Sequence, residues 1–316
     1  MKKFAYLFPG QGAQYVGMGK DFSDMYAISR ETFEEADEIL QFRLSKIIID
    51  GPEETLIQTK HSQLAIFVGS IAIMRATMQQ IPDLRPSVCG GLSLGEYTAL
   101  YASGRLGFQE TLLLVRERAN LMNDACDRTA GTMAAVLGMS AAEVDDALKG
   151  CAGVWVANYN CPGQTVISGT KEGVERGSVA LKARGAKRVI PLTVHGAFHS
   201  PLMQTAEDAL APLIAAAPIR ESSVGLVMNA PGALIDSVAD IKRFLTAQVT
   251  QSVRWEQGVV AMQTKGIDLY LEIGCGKTLS GMNRKIGVTG MTLSVDKLGD
   301  LDEVAKQIEG CAKCSY

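Results

Sequence analysis

Histidine is scarce in this chain. It occurs three times in 316 residues, at positions 61, 195 and 199, so any imidazole-based proton transfer near neutral pH has few possible carriers. Charge of one sign is also lacking. Lys plus Arg number 31 against 34 Asp plus Glu, a net charge of −3, which argues against a nucleic-acid binder. No apolar run approaches the roughly 18 residues of a membrane helix. The opening Met1-Lys2-Lys3-Phe4-Ala5-Tyr6-Leu7-Phe8 starts like a signal peptide, but Pro9-Gly10-Gln11-Gly12 ends it early, and a first strand is expected instead. Cysteine lacks pairing: seven residues, scattered and odd in number, fit free thiols in a reducing cytoplasm. Cys311-x-x-Cys314 stands alone in a polar tail, without the second pair or nearby histidine that a metal site needs. No metal and no cofactor is expected.

What remains is an ordinary globular composition, 47% apolar and 21% charged, with length for a large core. Phe4–Phe8 reads as a buried strand. Glu31–Leu40, Ser62–Gln79 and Phe108 to about Cys126 read as helices, the second with Leu64, Phe67, Val68, Ile71 and Met74 at helical spacing. Between about 129 and 193 the pattern becomes βαββαβ, with Ser140 as a helix cap, the order of a ferredoxin-like module. Strands and helices then alternate again to Ile273. These features predict an α/β protein. A large α/β-hydrolase-like domain (1–128 and 194–316), with a mostly parallel sheet, carries an inserted ferredoxin-like α+β domain (129–193).

Gly91-x-Ser93-x-Gly95 has the G-x-S-x-G pattern of a nucleophile elbow, in which a serine sits on a tight strand-to-helix turn with small residues at ±2. The same residues also suit a glycine-rich turn whose serine caps the next helix. A serine nucleophile needs a base. His61 opens a polar helix start and is expected at the surface. His195 and His199 share one loop, and position alone does not choose between them. Arg118 has Leu114, Val115, Leu121 and Met122 at i±3 and i±4, so its guanidinium leans inward and needs an anion. That anion is either a core-facing Asp or Glu or a substrate carboxylate held by two hydrogen bonds. Arg116 is a weaker case.

Five motifs occur in order: Phe8-Pro9-Gly10-Gln11-Gly12, Gly91-x-Ser93-Leu94-Gly95-Glu96-Tyr97, Asn158-x-Asn160-x-Pro162-Gly163-Gln164, Gly196-Ala197-Phe198-His199-Ser200 and Glu272-x-Gly274-x-Gly276-Lys277. Together they resemble the malonyl-CoA:acyl-carrier-protein transacylases of bacterial-type fatty acid synthesis, over nearly the whole chain. The resemblance implies Ser93 as the acylated nucleophile and His199 as its base. The base would lean on the backbone carbonyl of Gln248 rather than on an acid. It implies oxyanion-hole N–H groups from Gln11 and Leu94, and Arg118 on the malonyl carboxylate. Phe198 and Asn160 would line the substrate site, with Phe198 disfavouring a 2-methyl group. Arg188, Arg284 and Lys285 would meet the carrier protein or coenzyme A phosphates; as bare sequence they are equally solvated surface charge. Malonyl-CoA and acyl carrier protein would be the partners of a cytoplasmic monomer. Two departures stand out: Leu92, where many members have histidine, and Cys275, where proline is usual.

Two rival readings exist. An esterase-type hydrolase would want an acid between the serine and a late histidine and would leave Arg118 idle. A non-catalytic acyl-binding module would not need Ser93, His199 and Arg118 together.

Overall fold

The computed structural model describes residues 2–312, with side chains to residue 308. The side chains of Cys311 and Cys314 therefore lie outside the described residues. The strands, in chain order, are β1 (Phe4–Phe8), β2 (Pro86–Gly91), β3 (Thr132–Leu137), β4 (Val154–Cys161), β5 (Gln164–Gly169), β6 (Arg188–Pro191), β7 (Gly225–Met228), β8 (Ala233–Leu234), β9 (Val253–Arg254), β10 (Leu269–Ile273) and β11 (Met291–Val295).

Six of these form one sheet in the order β11-β10-β1-β2-β7-β8. Its pairs are parallel except β7–β8. β1 lies between two parallel neighbours and is buried at all five positions. Its alternate side chains serve two cores. Tyr6 and Phe8 join one, Ala5 and Leu7 the other, as expected for a strand with helices on both faces. The chain runs from β1 to β2 on one side and later returns to β10 on the other. The carboxyl ends of strands around such a reversal are where open α/β sheets bind ligands.

The helix predicted over Ser62–Gln79 spans Thr59–Gln80 and is buried almost all round rather than along one stripe. It is wedged among the helices Ala27–Leu40, Leu44–Asp50 and Phe108–Arg128, and a helix enclosed by neighbours has no polar face to spare. The region 20–56 also holds short helices that periodicity does not reveal, Lys20–Met25, Leu44–Asp50 and Glu53–Leu56.

Residues 132–191 give the predicted βαββαβ order, with helices Ala141–Leu148 and Lys171–Ala183. Their sheet runs β6-β3-β5-β4, antiparallel throughout, and has its own core around Val136, Val144, Ile167 and Leu181. A fifth strand was not anticipated: β9, from far down the chain, pairs parallel with β4 through Asn158 and Tyr159. The segment is thus stitched to the larger part by backbone hydrogen bonds as well as by its two crossings.

Candidate active site

The elbow forms where the sequence places it. β2 ends at Gly91, and helix Gly95–Ala102 starts three residues after Leu92. A Cβ on Gly91 would lie 2.0 Å from the Gly95 backbone, and one on Gly95 would lie 2.2 Å from the Phe8 carbonyl oxygen. Both positions therefore demand glycine. Ser93 takes φ 53, in the left-handed region, a conformation that costs a serine energy and marks functional turns. Its Oγ does not cap the helix. It lies 2.7 Å from His199 Nε2 and 3.1 Å from Arg118 Nη2.

His199 is 4% exposed and also left-handed, with φ 55. Its Nδ1 lies 2.8 Å from the Gln248 backbone oxygen. A carbonyl can only accept, so Nδ1 carries the proton and Nε2 is free to accept from Ser93. Burial, and then the nearby Arg118 charge, push the imidazole from its usual 6.5 down to about 4. His195 is half exposed and pairs with Asp127 at 3.0 Å on the cleft wall. The geometry thus separates two histidines that the sequence left level. His61 is not simply at the surface: half-buried, its Nδ1 lies 3.0 Å from the Thr55 carbonyl oxygen.

Arg118 is 1% exposed on helix Phe108–Arg128. Its hydrogen-bond partners are neutral: Gln63 Oε1, the Gln248 side-chain oxygen at 2.9 Å, and Ser93 Oγ. Its Nε has no partner among the described residues, and the face of Tyr97 lies 5.3 Å away. Burial disfavours its charge. Among the described residues no carboxylate hydrogen-bonds to it: buried Glu96 acts on it only through space, and burial raises that carboxyl to about 8, so near neutral pH the guanidinium has no charged partner in contact. Arg116 instead pairs with its neighbour Glu117 at 3.0 Å.

Gln248 contributes more than its carbonyl, since its Nε2 also donates to the Ser93 carbonyl oxygen at 2.9 Å. The backbone N–H groups of Gln11 and Leu94 have no acceptor among the described residues. Leu94 sits at the amino end of helix Gly95–Ala102, a favourable place for negative charge. Beside these groups lies a cavity of about 950 Å³, which Leu94 and Gln248 themselves do not line, a volume in the range of small-molecule sites. Gln11, Ser93, Arg118, Asn160, Phe198 and His199 all line it. Asn160 is buried with its side-chain oxygen unpartnered.

Arg188, Arg284 and Lys285 are not among the residues lining the cavity. Arg188 is exposed on β6, and Arg284 and Lys285 end helix Thr278–Ile286, with Lys285 Nζ donating to Gln164 Oε1 at 3.2 Å. The motif from Glu272 to Lys277 is architectural: buried Glu272 accepts the Leu279 and Ser280 N–H groups at 3.0 and 2.7 Å, anchoring that helix. Cys275, in the same turn, is buried against the Met18 sulfur at 3.0 Å.

Sequence reasoning missed Gln63, Asn229 and the part played by Glu96. Asn229 follows the apolar strand β7 as Ser93 follows β2, a polar residue at the carboxyl end of a parallel strand, and that was the available signal.

A cavity-lining serine hydrogen-bonded to a buried histidine at the carboxyl edge of a mainly parallel α/β sheet, with free N–H groups and a buried cation nearby, defines a class of enzymes that work through an acyl-serine. The acyl transferase domain model matches residues 5–273, and the chain belongs to that family. It is similar to the malonyl CoA-acyl carrier protein transacylase of Bacillus subtilis (strain 168), with 40% identity over 93% of this chain and 94% of that protein. Among solved structures it resembles an acyl carrier protein S-malonyltransferase from Vibrio cholerae O1 (TM-score 0.91, 37% identity, covering 96% of this chain and 100% of that one). It also resembles a malonyl-transacylase solved with its type II polyketide acyl-carrier protein (TM-score 0.93, 35% identity, 97% and 100% coverage).

Proposed function

We propose that this protein transfers the malonyl group of malonyl-CoA to the pantetheine thiol of acyl carrier protein through a malonyl-Ser93 ester, supplying fatty acid synthesis. The observation that carries this reading is Arg118, a fully buried guanidinium with only neutral partners, 3.1 Å from Ser93 Oγ. An unpaired buried cation is costly, and a malonyl carboxylate is the counterion that would complete it.

In the reaction, Ser93 Oγ gives its proton to His199 Nε2 and attacks the thioester carbonyl. The oxyanion rests on the N–H groups of Gln11 and Leu94. The C–S bond breaks, coenzyme A leaves with the proton from His199, and Ser93 holds the malonyl ester. The carrier thiol then gives its proton to His199, attacks the ester carbonyl and restores the serine. The Gln248 carbonyl holds the imidazole in the required tautomer. Phe198 and Asn160 shape the acyl end of the cavity. Arg188, Arg284 and Lys285, outside the cavity lining, would meet the acidic carrier or the coenzyme A phosphates.

In this reading 1–128 and 194–316 form an α/β-hydrolase-like domain, and 129–193 a ferredoxin-like insert, which the strand order β6-β3-β5-β4 supports. No described helix is long and apolar enough to cross a membrane, and the proposed site of action is the cytoplasm.

Intact mass after brief mixing with malonyl-CoA tests the proposal. One malonyl adduct is expected on the wild-type protein and none on Ser93→Ala, whose turnover should fall by about 10⁴-fold or more. An adduct that survives Ser93→Ala contradicts the proposal.

A further inference from the structure

Asn229 lies one residue beyond β7 and is 2% exposed. Its side chain spans the elbow. Oδ1 accepts the Ser93 N–H at 2.6 Å, and Nδ2 donates to the Gly91 carbonyl at 2.8 Å. One partner can only donate and the other only accept, so the amide has a single orientation that satisfies both. Its backbone is tied on both sides as well. The Asn229 N–H donates to Glu96 Oε2 at 2.7 Å, and its carbonyl accepts the Arg254 N–H at 2.9 Å. Glu96 is itself on the helix that the elbow starts. A closed circuit therefore joins Gly91, Ser93, Glu96 and Asn229 across two strands and a helix.

We propose that Asn229 is a positioning residue for Ser93, holding the turn in its left-handed form and reserving the Ser93 N–H. Two consequences follow from the geometry. A serine at φ 53 relaxes unless its neighbours over-determine it, and the two side-chain bonds of Asn229 grip the peptide groups on either side of Leu92. With its own N–H engaged, Ser93 offers nothing to a developing oxyanion, which leaves that task to the N–H groups of Leu94 and Gln11. The inference rests on Ser93 being the nucleophile, as proposed above, but not on the identity of the acyl group.

The test uses two variants of the full chain. Asn229→Leu keeps the shape and removes both bonds. Asn229→Asp keeps the acceptor for Ser93 and turns a carboxylate oxygen toward the Gly91 carbonyl. Two rates are read per active site, titrated by exhaustive labelling: phosphonylation of Ser93 by a fluorophosphonate, and steady-state turnover of malonyl-CoA. For Asn229→Leu, displacement of the nucleophile should slow both rates by about 100-fold. KM should stay within about twofold, since Arg118 is untouched. Asn229→Asp should recover part of the loss. The acid limb of the pH profile should not move, because His199 stays buried and keeps the Gln248 carbonyl on Nδ1. Wild-type rates in Asn229→Leu, a loss confined to KM, or an aspartate variant no better than leucine would overturn the proposal. Should the leucine variant not fold, the aspartate variant decides alone: about a tenfold slower phosphonylation supports the proposal, and an unchanged rate overturns it. A wild-type protein that phosphonylates but takes no malonyl group would sink the transfer reading while leaving this test intact.

Discussion

In the segment 129–193 both helices start on a side-chain cap. Ser140 forms a reciprocal capping box with Glu143, and Thr170 accepts the Gly173 N–H at 3.0 Å. At the carboxyl edge of the large sheet, helix Gly95–Ala102 has no side-chain cap at all. Of the three non-glycine residues with positive φ in the described chain, two are Ser93 and His199. Buried charge follows the same division. Arg118, Glu96 and Glu272 are buried in the larger part, whereas between 129 and 193 the buried polar side chains are all uncharged, among them Asn158, Asn160, Thr165 and Ser168. The small sheet keeps more closely to local rules, with register shifts along β4 between Val156 and Asn158 and between Tyr159 and Cys161. The edge around Ser93 breaks several, and long-range hydrogen bonds hold it in place. Violations of local preference are expected to gather where function needs them.

The comparison can be pressed hardest at Arg118. Arg118→Ala should lower malonyl-CoA kcat/KM by about 10²–10³-fold, the scale of losing a preorganised charged donor. Acetyl-CoA turnover, with no carboxylate to lose, should change far less. Parallel kinetics with the two thioesters check this, and an equal loss would remove Arg118 as the selectivity device.

Glycine substitutions set the two regions against each other in stability. Gly95→Ala puts a Cβ 2.2 Å from the Phe8 carbonyl oxygen. It should cost about 3 kcal/mol or more, beyond ordinary overpacking, because the obstacle is backbone. Gly163→Ala, in the β4–β5 turn, has φ 76 and open space around it. It should cost only the left-handed strain of about 1–2 kcal/mol. Urea unfolding of the pair measures the contrast.

The pH dependence should carry the signature of the buried edge. The folded-state pKa of His199 is depressed from 6.5 to about 4. Its contribution to stability is therefore complete above 6.5 and lost as pH falls toward 4. Activity per folded molecule should stay nearly flat over that window. Glu96 has the opposite sense, raised by burial from 4.5 to about 8. Stability owed to its neutral form is complete below 4.5 and lost as pH rises through 8, so Glu96→Gln should gain on wild type as pH climbs. Thermal melts and initial rates from pH 4 to 9 would reveal either trend, and a rate limb near 6.5 would contradict the first.

The smallest effect is expected in the small sheet. Ser140→Ala should cost about 1 kcal/mol for the lost cap and leave kcat unchanged. A drop in kcat would mean the two regions are coupled through β9.

How far the chain could be read in advance follows the same divide. β1, the long helices and the βαββαβ segment came from apolar patterning and capping, because their signals are local. The short helices between Lys20 and Leu56 did not. They start at Gly19, Arg43 and Pro52 without side-chain caps, and tertiary contacts hold them. β9 is two residues long and exists only because β4 lies beside it. Ser93 was legible through its two glycines, and Arg118 through its four apolar neighbours. Choosing His199 over His195 needed family resemblance, since both lie in one loop. Gln63 was not legible, and Asn229 only as a polar residue closing an apolar strand, because their roles depend on partners 55 and 136 residues away.

The central claim is that the cleft moves an acyl group to a thiol rather than to water. Malonyl-enzyme prepared with labelled malonyl-CoA and freed of excess thioester should be mixed with acyl carrier protein bearing its pantetheine arm. The account predicts that the label leaves Ser93 for the carrier far faster than it appears as free malonate. Release as malonate at one rate, with or without the carrier, would contradict it.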